Sequence, residues 1–555
     1  MLSAADLSRD RNVLAMQHPT RLSSRQASML VPLSIIVLLL VVRCVAVFRL
    51  GADSDESQHL HMIYGWLAGE LPYRDRFDNH MPLLYLMFLP LAALAGETPQ
   101  IVLLARLAEF PISLATLGLI YLIARHLADK EISLWTLATT LAWGDWSLKS
   151  VEFRPDVLWS FCWFLAIWVL ARQSGRLRIK TGFLVGVLLG VALCASIKTT
   201  FLVPALVLGW IAAWLICADL RQANPLGKSL CVVSAGGAGL LIAPSLFFGW
   251  FLSQGITVAT LKFCLFEANR ADFEPIRILM SVLLVPLVLW LAWMMMRRDI
   301  PGGSVAIFLG AAIYTVALIG FSPELRKQSL LPAYPLLILF VWLGVAGFLR
   351  RRKPGVLARA GLAVCAVASI HLMVEARLWE DGLRGQRELL EDTLKLTNPG
   401  DFLMDRKGET IFRRRPVYLV YQQATMRAID EGRIADPDPA LLTKTGTAVA
   451  IGESMGLTDQ MRKFLGKNYV PAGDGRLRVA GRSLLFYPED GRLAARAPIY
   501  IPGDYVVLGE GGVLGETRVR EAGWHDVDLG GASGPASLFW KRAWEVGFRP
   551  LEQLE

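Results

Sequence analysis

Residues 53–61 read DSDESQHLH, with two Asp, one Glu and two His packed into nine positions. Glu56-x-x-His59 sets a carboxylate and an imidazole one helical turn apart, a spacing used by carboxylate–histidine metal sites. Asp55 and Glu56 also fall where the first turn of a helix would lie, so both could merely complement its dipole. A third chemistry suits acids placed just past the long apolar run VPLSIIVLLLVVRCVAVF (31–48). A carboxylate at the membrane surface can take a proton from an acceptor hydroxyl while a lipid-linked donor lies in the bilayer.

The surrounding elements decide how these groups are held. The stretch DESQHLHMIYGWLAGELPYRDRFDNHMP reads as a short amphipathic helix, a turn and the start of a second helix. Leu60, Ile63, Tyr64 and Leu67 follow helical spacing; Gly69 and Pro72 break it, and Pro82 opens the next helix. PLLYLMFLPLAALAG (82–96) is apolar but too short for a full span, and reads as a re-entrant or in-plane helix.

The chain of 555 residues is 54% hydrophobic and only 19% charged, unlike a soluble protein of this length. Windows of about 20 apolar residues recur up to residue 375. Eleven spans are expected, near 29–49, 99–125, 132–148, 156–171, 181–197, 199–218, 230–252, 276–296, 303–321, 330–349 and 356–375. Basic residues favour segments that place the polar N-terminal segment 1–28 in the cytoplasm, and the net charge of +9 is read as topological rather than as a nucleic-acid footprint. The first span then reads as an uncleaved anchor, and the 50–98 loop and the tail face outward. Seven Cys, none in the tail and with no CxxC pair, give no disulfide framework and no zinc motif.

Residues 376–555 are charged and Gly-punctuated. A connecting helix is expected at 376–396, strands at 402–405, 447–452 and 476–487, and a helix at 458–469: an external α/β subdomain ending near 490. From 491 the short runs between Gly turns predict a β-rich, sandwich-like subdomain. GEGGVLGE (509–516) lies between strands, not before a helix, so a dinucleotide reading fails.

The first-loop pattern, Asp55-Glu56 followed by an amphipathic helix and G-x-x-P-Y-R-D-x-F-x-x-H-x-P-L, resembles the membrane-embedded C-class glycosyltransferases that use lipid-phosphate sugars. It is most similar to the group of protein O-mannosyltransferases and aminoarabinose transferases (glycosyltransferase family 39-like). The matching residues are Asp55, Glu56, Gly69, Pro72, Tyr73, Arg74, Asp75, Phe77, His80, Pro82 and Leu83, with Arg154-Pro155-Asp156, Lys198 and Arg326 in support. The resemblance implies a polytopic helical fold of about eleven spans with a soluble tail. It implies an inverting transfer of a hexosyl or pentosyl group from a polyprenyl-phosphate donor to an acceptor hydroxyl or phosphate. The acceptor would be a glycolipid, a polysaccharide or a protein, at the external, periplasmic face of the cell (inner) membrane. Asp55 would be the base and Glu56 its companion; His59, Tyr73, Arg74, Asp78, His80, Arg154, Asp156, Lys198, Arg326 and Lys327 would bind substrate. Because phosphate is already a good leaving group, the chemistry needs a base and cations rather than a strong acid. Relatives carry Glu-Lys-Pro or Lys-Pro-Pro where this chain has Asn79-His80-Met81-Pro82, so His80 would replace a Lys and no cofactor is assigned; a divalent cation stays open.

Two other classes fit eleven spans. A multi-span transporter of a lipid-linked or anionic substrate would place ionisable groups near the midplane on broken helices, and a scaffold would not require Asp55.

Overall fold

The computed structural model describes residues 24–173, 175–268, 274–296, 300–322, 325–350, 355–453, 455–484, 486–489, 492–529 and 535–551; most of the N-terminal segment 1–28 lies outside them. The helices of the first part are α1 (Ser24–Arg49), α2 (Ser54–Leu67), α3 (Leu83–Ala95), α4 (Ile101–Leu127), α5 (Lys130–Ala142), α6 (Gly144–Lys149), α7 (Pro155–Ala171), α8 (Ile179–Ala195), α9 (Thr199–Ile216), α10 (Ala218–Ala223), α11 (Leu226–Ser253), α12 (Val258–Lys262), α13 (Pro275–Met296), α14 (Gly302–Phe321), α15 (Tyr334–Arg350) and α16 (Val356–Ala376).

Each expected span is occupied by helix. Among the described residues, α1, α4, α9, α11, α13, α14 and α16 are long and apolar enough to cross a bilayer, and α3, α7, α8 and much of α15 are shorter apolar helices. At 13 residues, α3 is about 20 Å long, well short of a roughly 30 Å hydrocarbon layer. The expected span 132–148 is two helices, because the chain leaves helical geometry at Trp143 (φ −71°, ψ 108°) between α5 and α6. Arg43, buried in α1, donates to Ser147 O (2.9 Å) and Ser150 O (2.7 Å) at the end of α6, where a cation suits the free carbonyls. Small residues let helices meet backbone to backbone: a Cβ on Gly186 of α8 would stand 2.0 Å from Gly236 O of α11.

The loops sort to two ends. At one end residues 175–178, 218–225 and 300–302 meet, through Leu177 N to Asn224 Oδ1 (3.0 Å) and Gly302 N to Asp219 Oδ2 (2.9 Å). At the other end lie α2, the 149–155 and 196–198 turns, and the tail.

The tail begins with α17 (Arg384–Leu396), preceded by turns where helix was expected from 376. Its strands are β1 (Leu403–Met404), β2 (Val449–Ile451), β3 (Tyr469–Ala472), β4 (Leu477–Leu484), β5 (Phe486–Glu489), β6 (Arg492–Ile499), β7 (Gly503–Gly509), β8 (Gly512–Val519), β9 (Gly523–Asp528) and β10 (Ala536–Trp540). One sheet runs β1-β2-β4-β10-β7-β8 with β3 on β4, parallel only at β1–β2; a second runs β5-β6-β9. The boundary expected near 490 falls inside this topology: β4 pairs β10 antiparallel, Ser483 opposite Ser537. Both sheets feed one apolar core of Ala495, Ile499 and Val527 with Tyr505, Val507 and Leu538, so the sandwich-like packing draws strands from both sides of 490.

The tail also roofs α2. Leu60, Ile63, Leu84, Tyr85 and Phe88 share an apolar cluster with Leu383, Leu390, Ile411 and Phe412. The helix expected to lie amphipathically on the membrane surface is therefore buried on nearly every side, with His59 and His61 inside and Leu67 exposed.

Candidate active site

Asp53, not Asp55, caps α2: its Oδ1 accepts from Asp55 N (2.9 Å), and Glu56 returns the box to Asp53 N (2.9 Å). Asp55 is thus free of capping and its carboxylate turns outward between two cations. Oδ2 accepts from Arg154 Nη2 at 2.7 Å, and Oδ1 from Lys407 Nζ at 2.6 Å.

Glu56 faces the other way. Its Oε1 accepts from Arg106 Nε (2.7 Å) and Phe153 N (2.7 Å), its Oε2 from Arg106 Nη2 (2.5 Å) and Asp53 N. Arg106 also donates to Leu50 O (2.7 Å) and Gly51 O (2.8 Å) beyond the end of α1. Both Glu56 oxygens are engaged and fully buried, so this carboxylate ties α1, α2, α4 and the 153 turn together.

The rest of the network is an alternating chain of charges. Lys149 Nζ bridges Asp53 (2.9 Å) and Glu152 (2.8 Å); Glu152 also pairs with Arg154. Arg154 Nε lies 3.4 Å from Asp156, whose Oδ1 holds Lys198 Nζ at 2.6 Å. Arg154 stands at the N-cap of α7 in extended geometry, with Pro155 starting the helix, and its own N–H is held by Glu109 Oε2 (3.0 Å).

Burial would raise the Asp55 carboxyl, but Lys407 and Arg154, with His80 and His59, outweigh it and hold it well below the usual carboxylate range. Burial, and after it His80, push the His59 imidazole well down, against the pull of Asp55. His59 Nδ1 lies 3.2 Å from Tyr85 OH, and its ring meets His80 edge-on at 4.6 Å. His80 is held by Asp78 Oδ1 (3.0 Å), which is fully buried. His61 bridges away from the site: Arg76 donates to its Nε2 (2.7 Å), so Nδ1 carries the proton that it donates to Ile411 O (2.9 Å).

Of the expected residues, Asp55, His59, Asp78, His80, Arg154, Asp156 and Lys198 come together in one cluster. Tyr73 is buried at φ 70°, its hydroxyl given to His80 O (2.6 Å), so it shapes the first-loop turn. Arg74 lies exposed against Asp75 (2.8 Å). Arg326 donates to Gln423 Oε1 (3.0 Å), and Lys327 pairs with Asp145 (2.9 Å) and Glu375; neither contact belongs to the Asp55 network. Four of its members, Arg106, Lys149, Glu152 and Lys407, were not expected from sequence. Arg106 had a signal, as a charge inside an apolar span. Lys149 and Glu152 had only their place at a span end, and Lys407 had none, standing 352 positions from its partner.

The first loop does not fit a divalent cation. Glu56 is saturated by hydrogen-bond donors and turned from His59, and each Asp55 oxygen already faces a cationic side chain. Asp145, His371 and Glu375 place ligand atoms within 4.8 Å of one another elsewhere, around the Lys327 ammonium.

Residues 79–250 match the family model of the dolichyl-phosphate-mannose-protein mannosyltransferases. The fold is similar to that of ArnT from Cupriavidus metallidurans in the apo state, with a TM-score of 0.52 at 16% identity, over 80% of this chain and 97% of that one. The same protein bound to undecaprenyl phosphate matches with a TM-score of 0.53 at 15% identity over the same shares. No curated protein sequence matches the chain.

Proposed function

With the fold and family match of a C-class membrane glycosyltransferase as premise, we propose that this chain transfers a sugar from a polyprenyl-phosphate donor to an acceptor hydroxyl, with inversion, at the outer face of the membrane. The observation that carries the reading is Asp55: an ionised carboxylate, a quarter exposed, aimed into a cluster of cations at the end of the helical bundle. In the transfer, Asp55 takes the acceptor's proton and the acceptor oxygen bonds the anomeric carbon. The bond from that carbon to the phosphate oxygen breaks, and the polyprenyl phosphate leaves with the electron pair. Arg154 and Lys198 supply positive charge where the leaving group becomes more negative. Glu56, expected as the second catalytic acid, acts by position: through Arg106 it fixes the start of α2 and hence Asp55. The ArnT structure bound to undecaprenyl phosphate favours a lipid-linked donor for this fold. The convergence of charges at loop ends, rather than along a path through the helices, disfavours a transporter.

Asp55→Asn tests the reading. A base contributes about 10²–10⁴ in rate, and because Asp53 makes the cap, the substitution spares it. Sugar transfer from a polyprenyl-phosphate donor, followed by mass spectrometry of the product, should fall by that factor while the protein stays folded. Turnover within twofold of the parent would remove Asp55 as base.

A further inference from the structure

The loop Asp405–Ile411, DRKGETI, belongs to the tail, yet it reaches the first-loop helix. It is a built turn. Asp405 Oδ1 accepts from Gly408 N (2.9 Å), Oδ2 from Thr410 N (3.0 Å) and Thr410 Oγ1 (2.8 Å), and Arg415 Nε closes on the same carboxylate (2.9 Å). Glu409 Oε2 accepts from Lys407 N (2.9 Å). Gly408 sits at φ 101° directly against α2, where a Cβ would stand 2.6 Å from His61 Cβ, so a glycine is required for the loop to seat. His61 then locks it by donating to Ile411 O. The result is that Lys407, largely buried at 10% side-chain exposure, extends its ammonium to Asp55.

The two cations on Asp55 are not equivalent. Arg154 is shared by Asp53, Asp55, Glu152 and Asp156 and is 2% exposed, so it cannot leave without breaking four ion pairs at once, two of them to the buried Glu152 and Asp156. Among the described residues, the Lys407 ammonium has one ion-pair partner, Asp55. It is a point charge on a flexible stem, and the Asp55 carboxylate it holds is a quarter exposed.

We infer that Lys407 passes from Asp55 to the donor's phosphate during the reaction, joining Arg154 and Lys198 as a leaving-group cation and at the same time baring the oxygen that receives the proton. This rests on the reading above that the donor carries a lipid-linked phosphate. The charge balance favours the move. When Asp55 accepts the acceptor's proton it becomes neutral and releases its hold on the ammonium. When the bond to the anomeric carbon breaks, the phosphate gains the electron pair and passes from a singly charged diester to a monoester of higher charge. Negative charge thus moves from Asp55 to the phosphate, and a cation between the two stabilises the transition state more than the ground state. The soluble tail would then be a part of the active site, not only its cover.

The test uses the full chain in lipid nanodiscs, with undecaprenyl phosphate and undecaprenol as probes. The parent should bind the phosphate lipid more tightly than the alcohol. Lys407→Met should lose about tenfold or more in affinity for undecaprenyl phosphate, the loss expected for one charge-assisted hydrogen bond, with undecaprenol binding unchanged. Lys407→Arg should restore most of it. Asp55→Asn, which frees Lys407 and removes a nearby negative charge, should bind undecaprenyl phosphate more tightly than the parent, and it keeps the proposal testable even if Lys407→Met does not fold. Affinity of Lys407→Met within twofold of the parent, or no tightening in Asp55→Asn, overturns the role of Lys407 alone. A parent that binds both lipids equally overturns the lipid-phosphate reading and this inference with it.

Discussion

Two charge clusters at the same end of the bundle invite comparison, since each pairs carboxylates with a lysine and each was a candidate for binding phosphate. Around Asp55, the carboxylates of Asp53, Asp55, Glu152 and Asp156 are matched one for one by Lys149, Arg154, Lys198 and Lys407, Asp55 itself meeting two of these cations, and the group lies under the tail. Around Lys327, one ammonium meets Asp145 and Glu375 with His371 beside them, and the lysine side chain is 46% exposed. The first arrangement offers a base with cations ready for an incoming anion. The second offers an ammonium outnumbered by acids, which has little left to attract a phosphate. What distinguishes them is the local charge ratio and the degree of desolvation, not residue type.

The largest effect that would break this comparison is in turnover. Arg154→Met removes the cation that Asp55, Glu152, Asp156 and Asp53 share, leaving those four carboxylates to three lysines, Lys149, Lys198 and Lys407. Transfer should be lost and thermal unfolding should fall clearly; an active, equally stable variant would mean the network is not the site. Next comes Glu56→Gln, which breaks a fully buried ion pair, a loss of about 3–5 kcal/mol. It should lower unfolding temperature far more than Asp55→Asn, whereas Asp55→Asn should cost more activity per degree lost. If the two variants behaved alike, positioning and catalysis could not be assigned to separate acids.

A smaller effect separates the clusters themselves. Lys327→Gln removes a half-exposed pair, which is worth below about 1 kcal/mol, and should leave undecaprenyl phosphate affinity within about twofold. A loss matching that of Lys407→Met would restore Lys327 to the site. The smallest effect is in pH. The folded Asp55 carboxyl is held below its unfolded value, so it contributes stability that is fully present above the unfolded pKa and is lost as pH falls through the folded one. Unfolding temperature should therefore drop on acidification below about pH 4, with a shallower slope in Asp55→Asn. Identical slopes would show that the two cations do not favour the ionised form.

The sequence by itself determined the elements and the chemistry available at the first loop. Apolar runs of spanning length have no alternative to helix in a bilayer, since every backbone polar group must be satisfied within the segment. Acids at the start of a helical pattern marked the beginning of α2, although the structure gives the cap to Asp53 and not to Asp55, and short apolar runs between Gly turns became strands. Only the tertiary structure decided the roles. Glu56 and Asp55 are adjacent and alike, yet a single residue step along a helix sends them about 100° apart, one into Arg106 and the other to Arg154 and Lys407. The tail's cover turned an amphipathic surface helix into a buried one, and the pairing of β4 with β10 joined the halves of the tail. Lys407 reached Asp55 because Asp405 and Gly408 shape a turn that fits against His61. Local pattern records which face of a helix is apolar. It does not record which distant loop will cover the other face, because that is set by the summed packing of the chain.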